Sequence, residues 1–165
     1  MAAVTQRITN CLWFDSDAEE AVKLYTSIFK NSSVGQIVRY GTQGFEFHGK
    51  PAGSVMTILF YLDGQELMAL NGGPIFKFNE AMSMIINCET QEEIDYYWEK
   101  LTENGGEESM CGWLKDKFGV SWQVTPVLFN ELSADYESDA YKRMETAMYS
   151  MKKLDIRTLM DAYNG

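Results

Sequence analysis

A strand-length apolar run, a capped amphipathic helix and a hairpin occur in that order twice in this chain, offset by 73 residues. Ile8–Phe14 is the first run. Asp17 opens a helix with Glu20 three residues later, the spacing of a capping box that satisfies two free amide donors. Ala21, Leu24, Tyr25, Ile28 and Phe29 then recur as one apolar face. Val34–Tyr40 reads as a strand, and Gly41–Gly53, rich in glycine, as a loop. Ser54–Leu62 and Gln65–Leu70 are strands around the two-residue turn Asp63-Gly64. In the second copy Ser83–Cys88 is the apolar run, and Thr90 with Glu93 is the capping box. Ile94, Tyr97, Trp98 and Leu101 form the helix face, and strands occupy roughly Glu107–Gly112. Asp17 falls on Thr90, Glu20 on Glu93, Tyr25 on Trp98 and Ile28 on Leu101. The identities differ, so the repeat is one of physical pattern. A matched strand before each helix and a matched hairpin after it predict two tandem βαβββ modules.

The second hairpin, Cys111–Pro126, is the most informative stretch. Trp113-Leu114-Lys115 leads into a turn at Asp116–Gly119, and Val120–Thr125 runs back with the β-branched and aromatic residues that suit a pleated surface. Pairing Lys115 with Val120 would set Trp113 opposite Trp122. After Val127, Tyr141, Met144, Met148 and Met151 recur at helical spacing, as do Ile156, Leu159, Met160 and Tyr163. These predict C-terminal amphipathic helices, whose methionines suit either a subunit interface or packing on the parent domain. The expected organisation is a single α+β domain over 1–165, with modules at 6–72 and 82–127 and a helical extension at 128–165.

Composition narrows the function classes. A formal charge of −10 over 165 residues argues against nucleic-acid and anionic-membrane partners, which call for clustered Lys and Arg. No run approaches the ~18 apolar residues of a membrane span, and MAAVTQR lacks the apolar centre of a signal peptide. Cys11, Cys88 and Cys111 are separated thiols without C-x-x-C spacing, which fits reduced cysteine and a cytoplasmic location. His48, the one histidine, sits in the glycine-rich loop and reads as surface. Glu19-Glu20, Glu92-Glu93 and Glu107-Glu108 read as helix-start or exposed charges. No nucleophile-elbow, phosphate-loop or zinc-protease motif is present.

The opening ITNCLWF-DSDAEEAVKLY, then ALNGGP, NCETQEEIDYYW and CGWLKDKFGVSWQV, resemble the vicinal oxygen chelate superfamily over roughly residues 6 to 153. The similarity is greatest to its PhnB-like branch, often labelled demethylubiquinone methyltransferase-like. The resemblance implies that each module curls into half of a cup of mixed sheet, with a divalent metal held inside by His, Glu or Gln. Carried over residue by residue, the four ligand positions become Asn10, Met68, Ser83 and Gln123. Met is a poor ligand for a hard cation, and Ser and Asn are weak neutral ones. The expectation is therefore a site without metal or other cofactor, in which these four residues contact a small-molecule ligand. In a cup of this kind Gln123, Ser121 and Thr125 would point inward, as would Ile8, Asn10 and Leu12. Trp122, Val124, Cys11 and Trp13 would face the helices. Asn71, Phe76 and Phe78 stand where they would cover the mouth. No glycine-rich turn precedes a helix inside a βαβ pattern, as binding a methyl donor in the usual way requires. The predicted function is metal-free binding of a small molecule by a homodimer. The alternative is an enzyme that uses no metal or recruits one from other groups.

Overall fold

Asp63 and Gly64 both take positive φ (47° and 79°), the conformation of a two-residue turn that matches strand twist, and they set the first sheet. The computed structural model describes residues 6–165, so the reading of MAAVTQR rests mainly on residues outside those described. Two compact units divide the chain, one ending at Lys77 and the other beginning at Phe78.

The first unit contains β1 (Asn10–Phe14), α1 (Ala18–Ile28), β2 (Ser33–Arg39), a one-turn helix α2 (Phe45–His48), β3 (Val55–Leu62) and β4 (Gln65–Asn71). The sheet order is β1-β4-β3-β2, with β1 parallel to β4 and the other neighbours antiparallel. One face packs on α1 through Ala18, Ala21, Val22, Tyr25 and Ile28, and Tyr25 stacks on Phe60 at 6.4 Å. Ile58, Phe60, Leu67 and Ala69 are buried beneath the helix, apolar burial being the main favourable term in folding.

Two expectations fail here for identifiable reasons. Asp17 makes no side-chain capping bond. The cap is supplied from β4, where Asn71 Oδ1 accepts the Ala18 N–H at 2.9 Å. Asn71 Nδ2 donates to the Val55 carbonyl (3.1 Å) and to Glu19 (3.3 Å), and the residue is only 5% exposed. It is a buried strut, not a cover over an opening. The facing of β1 is also inverted. Asn10, Leu12 and Phe14 lie in register with Leu67, Ala69 and Asn71 on the helix side, while Cys11 and Trp13 share the open face with Met68 and Leu70. The two first strands are 74 residues apart although their helices are 73 apart, because the β1–α1 connection is one residue longer than its counterpart. A one-residue change reverses every side chain of a strand.

The second unit repeats the topology with β5 (Met84–Cys88), α3 (Gln91–Thr102), β6 (Glu107–Glu108), β7 (Trp113–Lys115) and β8 (Ser121–Pro126), in sheet order β5-β8-β7-β6. The chain is thus α+β, built of two tandem βαβββ modules. The predicted cap of α3 is present: Thr90 Oγ1 accepts the Glu93 N–H at 3.3 Å, and Glu93 reaches back to the Glu89 N–H at 2.8 Å. Ile94, Trp98 and Leu101 are buried as their spacing predicts.

The hairpin register differs from the expected one. Trp113 pairs with Gln123, Leu114 with Trp122 and Lys115 with Ser121. Asp116 is the cause. Its Oδ1 accepts the Phe118 and Val120 N–H groups (2.9 and 3.1 Å), its Oδ2 accepts Trp122 Nε1–H (2.9 Å), and its N–H donates to Val120 O (3.0 Å). The turn therefore closes at Asp116 and Val120, one position later than assumed. Trp122 is buried, whereas Trp113 belongs to the opposite face.

Beyond β8 lie α4 (Leu128–Leu132), a 3-10 turn (Ser133–Asp135), α5 (Asp139–Met148) and α6 (Ile156–Asn164). Met144, Leu154 and Leu159 form a separate small core, with Met148 and Met151 packed against it. This extension is tied to its own module. Cys111 and Gly112, both at positive φ, donate their N–H groups to Met151 O and Lys152 O at 2.7 Å. Gln91 bridges Leu154 O and the Ile156 N–H (3.1 and 2.8 Å), and Lys153 pairs with Asp95 at 2.5 Å. A Cβ on Gly112 would stand 2.8 Å from Val124 O, so only glycine fits there. No helix among the described residues is long and apolar enough to cross a membrane.

Candidate functional site

Each sheet turns one face to its helix and leaves the other open. On the open face of the second unit, β5 contributes Ile85 and Asn87, β8 contributes Ser121, Gln123 and Thr125, and β7 contributes Trp113 and Lys115. Gln123 Nε2 donates to Ser83 Oγ at 2.8 Å, so two of the four anticipated residues meet directly. Gln123 Oε1 has no hydrogen-bond partner among the described residues and remains an available acceptor.

The first unit does not bring its pair together. Asn10 is on the helix side with Leu67, whereas Met68 lies on the open face beside Cys11. In strand register, Cys11 and Met68 are the counterparts of Ile85 and Gln123. Ser83, one residue before β5, correspondingly answers to Thr9. Thr9 Oγ1 donates to Glu66 (3.0 Å), and Tyr61 Oη donates to the same carboxylate (3.2 Å). This contact with Glu66 pushes the Tyr61 hydroxyl above its ordinary pKa. Glu66 stands two residues before Met68 on an alternating strand, so the sequence puts both on one face.

These residues do not suit a divalent metal. The open-face row supplies a thioether, an amide, an aliphatic side chain and the Cys11 thiol, whose pKa desolvation raises, away from the thiolate a metal needs. Among the described residues, no three His, Cys, Asp or Glu side chains gather closely enough to hold an ion. His48 is occupied within its loop. Its Nδ1 accepts the Lys50 N–H (2.9 Å), Nε2 faces Gln43 O (3.2 Å), and the ring lies 4.5 Å from that of Tyr40. Burial, with Glu93 adding to it, pushes the Cys88 thiol up to about 12, which removes it as a nucleophile.

The family described as 3-demethylubiquinone-9 3-methyltransferase matches residues 6–125. The PhnB protein of Bacillus cereus is 40% identical, with a TM-score of 0.65 over 74% of this chain and 100% of that one. The chain belongs to this family. Protein PA1353 of Pseudomonas aeruginosa (21% identity, TM-score 0.58, 74% of this chain and 98% of that one) shares the fold. So does the fosfomycin resistance protein FosX of Listeria monocytogenes, solved with Mn(II) and sulfate (13% identity, TM-score 0.53, 80% and 98%). No curated protein matches. Membership in the PhnB-like branch places the chain in the vicinal oxygen chelate superfamily, and its two βαβββ modules agree.

Proposed function

We propose that this member of the family binds a small molecule on the open sheet face without a bound metal. The observation that carries the reading is the Gln123–Ser83 pair beside Ile85 and Trp113. It presents a neutral, oriented acceptor among apolar groups, the usual make-up of a small-molecule site. The Cys11–Met68 and Ile85–Gln123 rows offer a divalent metal neither carboxylate nor imidazole. Protein purified without chelator is expected to carry far less than one zinc, nickel, iron or manganese per chain. Near-stoichiometric metal by elemental analysis would overturn the reading.

The family's methyltransferase description is not extended to this chain. The connections into the two sheet-packed helices α1 and α3 are Asp15-Ser16-Asp17 and Glu89-Thr90, with no glycine to let a donor's phosphate or carboxylate approach a helix end, and the glycines between β2 and α2 follow an antiparallel edge strand and enter only a single helical turn. A second reading, an enzyme of the superfamily, is favoured by Glu66, a carboxylate on the open face of the first unit. Its oxygens are already engaged by Thr9 and Tyr61. Metal-dependent turnover of methylglyoxal hemithioacetal would decide for the enzyme.

Replacing Gln123 with Leu tests the ligand role directly. The substitution keeps side-chain size, breaks the bond to the part-buried Ser83, and removes the free acceptor. It is expected to weaken retention of ligands captured from a metabolite mixture by about 1 kcal/mol, the worth of a neutral hydrogen bond, with little change in melting temperature. A lower melting temperature with unchanged retention would make Gln123 a purely structural residue. Homodimerisation is part of the same proposal. The edge strand β2 exposes Val34, Ile37 and Val38, and an unpaired apolar edge favours pairing with a second copy. Light scattering at micromolar concentration should give the mass of a dimer.

A further inference from the structure

Ser121 Oγ is the one fully buried side-chain polar atom without a hydrogen-bond partner among the described residues, in a residue 2% exposed. A buried hydroxyl with no partner is unusual and asks for one. Ser121 lines a hollow of about 500 Å³ in the second unit, together with Glu80, Glu107, Glu108, Trp113 and Lys115. We propose that this hollow is a subsite for a small organic cation, an ammonium carried on a flat apolar body. The proposal rests on the small-molecule reading above and specifies its ligand class.

Charge decides the sign. Three carboxylates and one ammonium line the hollow. Lys115 is already paired with Glu80, and that contact raises its pKa, holding it in the charged, paired form. Glu108 is engaged by Trp98 Nε1–H (2.9 Å) and Lys152 (3.5 Å). Glu107, on β6 in register with Lys115 of β7, makes no hydrogen bond or close ion pair among the described residues, its charge reaching Lys115 only at longer range. The chain as a whole carries −10, so an anionic ligand meets repulsion at long range as well as at the hollow. Trp113 supplies the aromatic face against which a cation or a flat ring is best held. The Ser121 hydroxyl accepts an ammonium N–H where the hollow meets the sheet.

Three probes of one shape test this by calorimetry on the full chain: 2-phenylethylamine, 2-phenylethanol and 3-phenylpropanoate. The amine is expected to bind about ten-fold tighter than the alcohol, with the carboxylate weakest. Glu107→Gln should reduce amine affinity and leave that of the alcohol unchanged. Ser121→Ala should weaken the amine while keeping or raising the melting temperature, since it deletes an unsatisfied buried group. An amine no tighter than its alcohol, or no binding of the amine, overturns the cation subsite. So does a Ser121→Ala protein with a lower melting temperature and unchanged amine affinity. None of these results bears on the retention of ligands from a metabolite mixture, and a protein that retained none would instead remove the small-molecule reading itself.

Discussion

Asp116→Ala is expected to lower stability by about 3 kcal/mol, read as a shift of the urea unfolding midpoint. Asp116 is 2% exposed, and its carboxylate accepts the Phe118 and Val120 amides and the Trp122 indole. Removing it strands at least two buried N–H groups, each costing about 1–3 kcal/mol when left unpaired. Asp116→Asn separates the contributions. Its oxygen can still take the two amides, while its NH₂ faces the indole N–H donor to donor, so roughly half the loss is expected. Trp122→Phe on the Asn background should then add little beyond its own packing cost, because the indole bond is already gone. If Asp116→Ala shifted the midpoint by less than about 1 kcal/mol, the turn would be held by its backbone bonds alone.

Asn71→Ala should cost about 2–3 kcal/mol in the same measurement. The substitution deletes the cap of α1, worth typically about 1 kcal/mol, and strands the Val55 carbonyl. Asn71→Asp is the informative partner. An aspartate keeps the acceptor for the Ala18 N–H and suits the helix dipole. It also sets a negative charge against the Val55 carbonyl and Glu19, which Asn71 Nδ2 now contacts. A protein in which Asp fully rescues Ala would show that the cap alone matters. A partial rescue is the expected result.

Both residues show what the sequence displayed and what it hid. The βαβββ order, the Asp63-Gly64 turn and the Thr90–Glu93 box were legible because each depends on residues close together in the chain. Asp17 satisfied the same local pattern as Thr90, yet its helix is capped by Asn71, 53 residues from Ala18. A side chain arriving from another strand leaves no local trace. Of the four anticipated site residues, Gln123 and Ser83 meet, Gln123 standing four residues beyond the hairpin glycine and Ser83 at the repeat offset of 73 from Asn10. Asn10 shares that offset, but the β1–α1 connection holds one residue more than its counterpart, which turns Asn10 to the helix side and gives the open face to Cys11. Trp113 was lost to the core for a related reason, since the Asp116 turn shifts its pairing by one. Periodicity gives the face of a strand only relative to its own neighbours. The absolute phase comes from turns and loops, whose length sequence patterns constrain least.

The backbone bonds from Cys111 and Gly112 to Met151 and Lys152 bear on the order in which the protein can be completed during synthesis. The first module possesses every strand of its sheet once Asn71 has left the ribosome. The second has all its strands at Pro126, but the loop leading into β7 still lacks its carbonyl partners, which lie beyond α5. A nascent chain halted between Pro126 and Met151 would hold one finished module and one with an untethered loop, in which Gly112 could pair with Val124 but not with Lys152. Met151 and Lys152, made after β8, therefore close a part of the molecule whose sheet was already assembled.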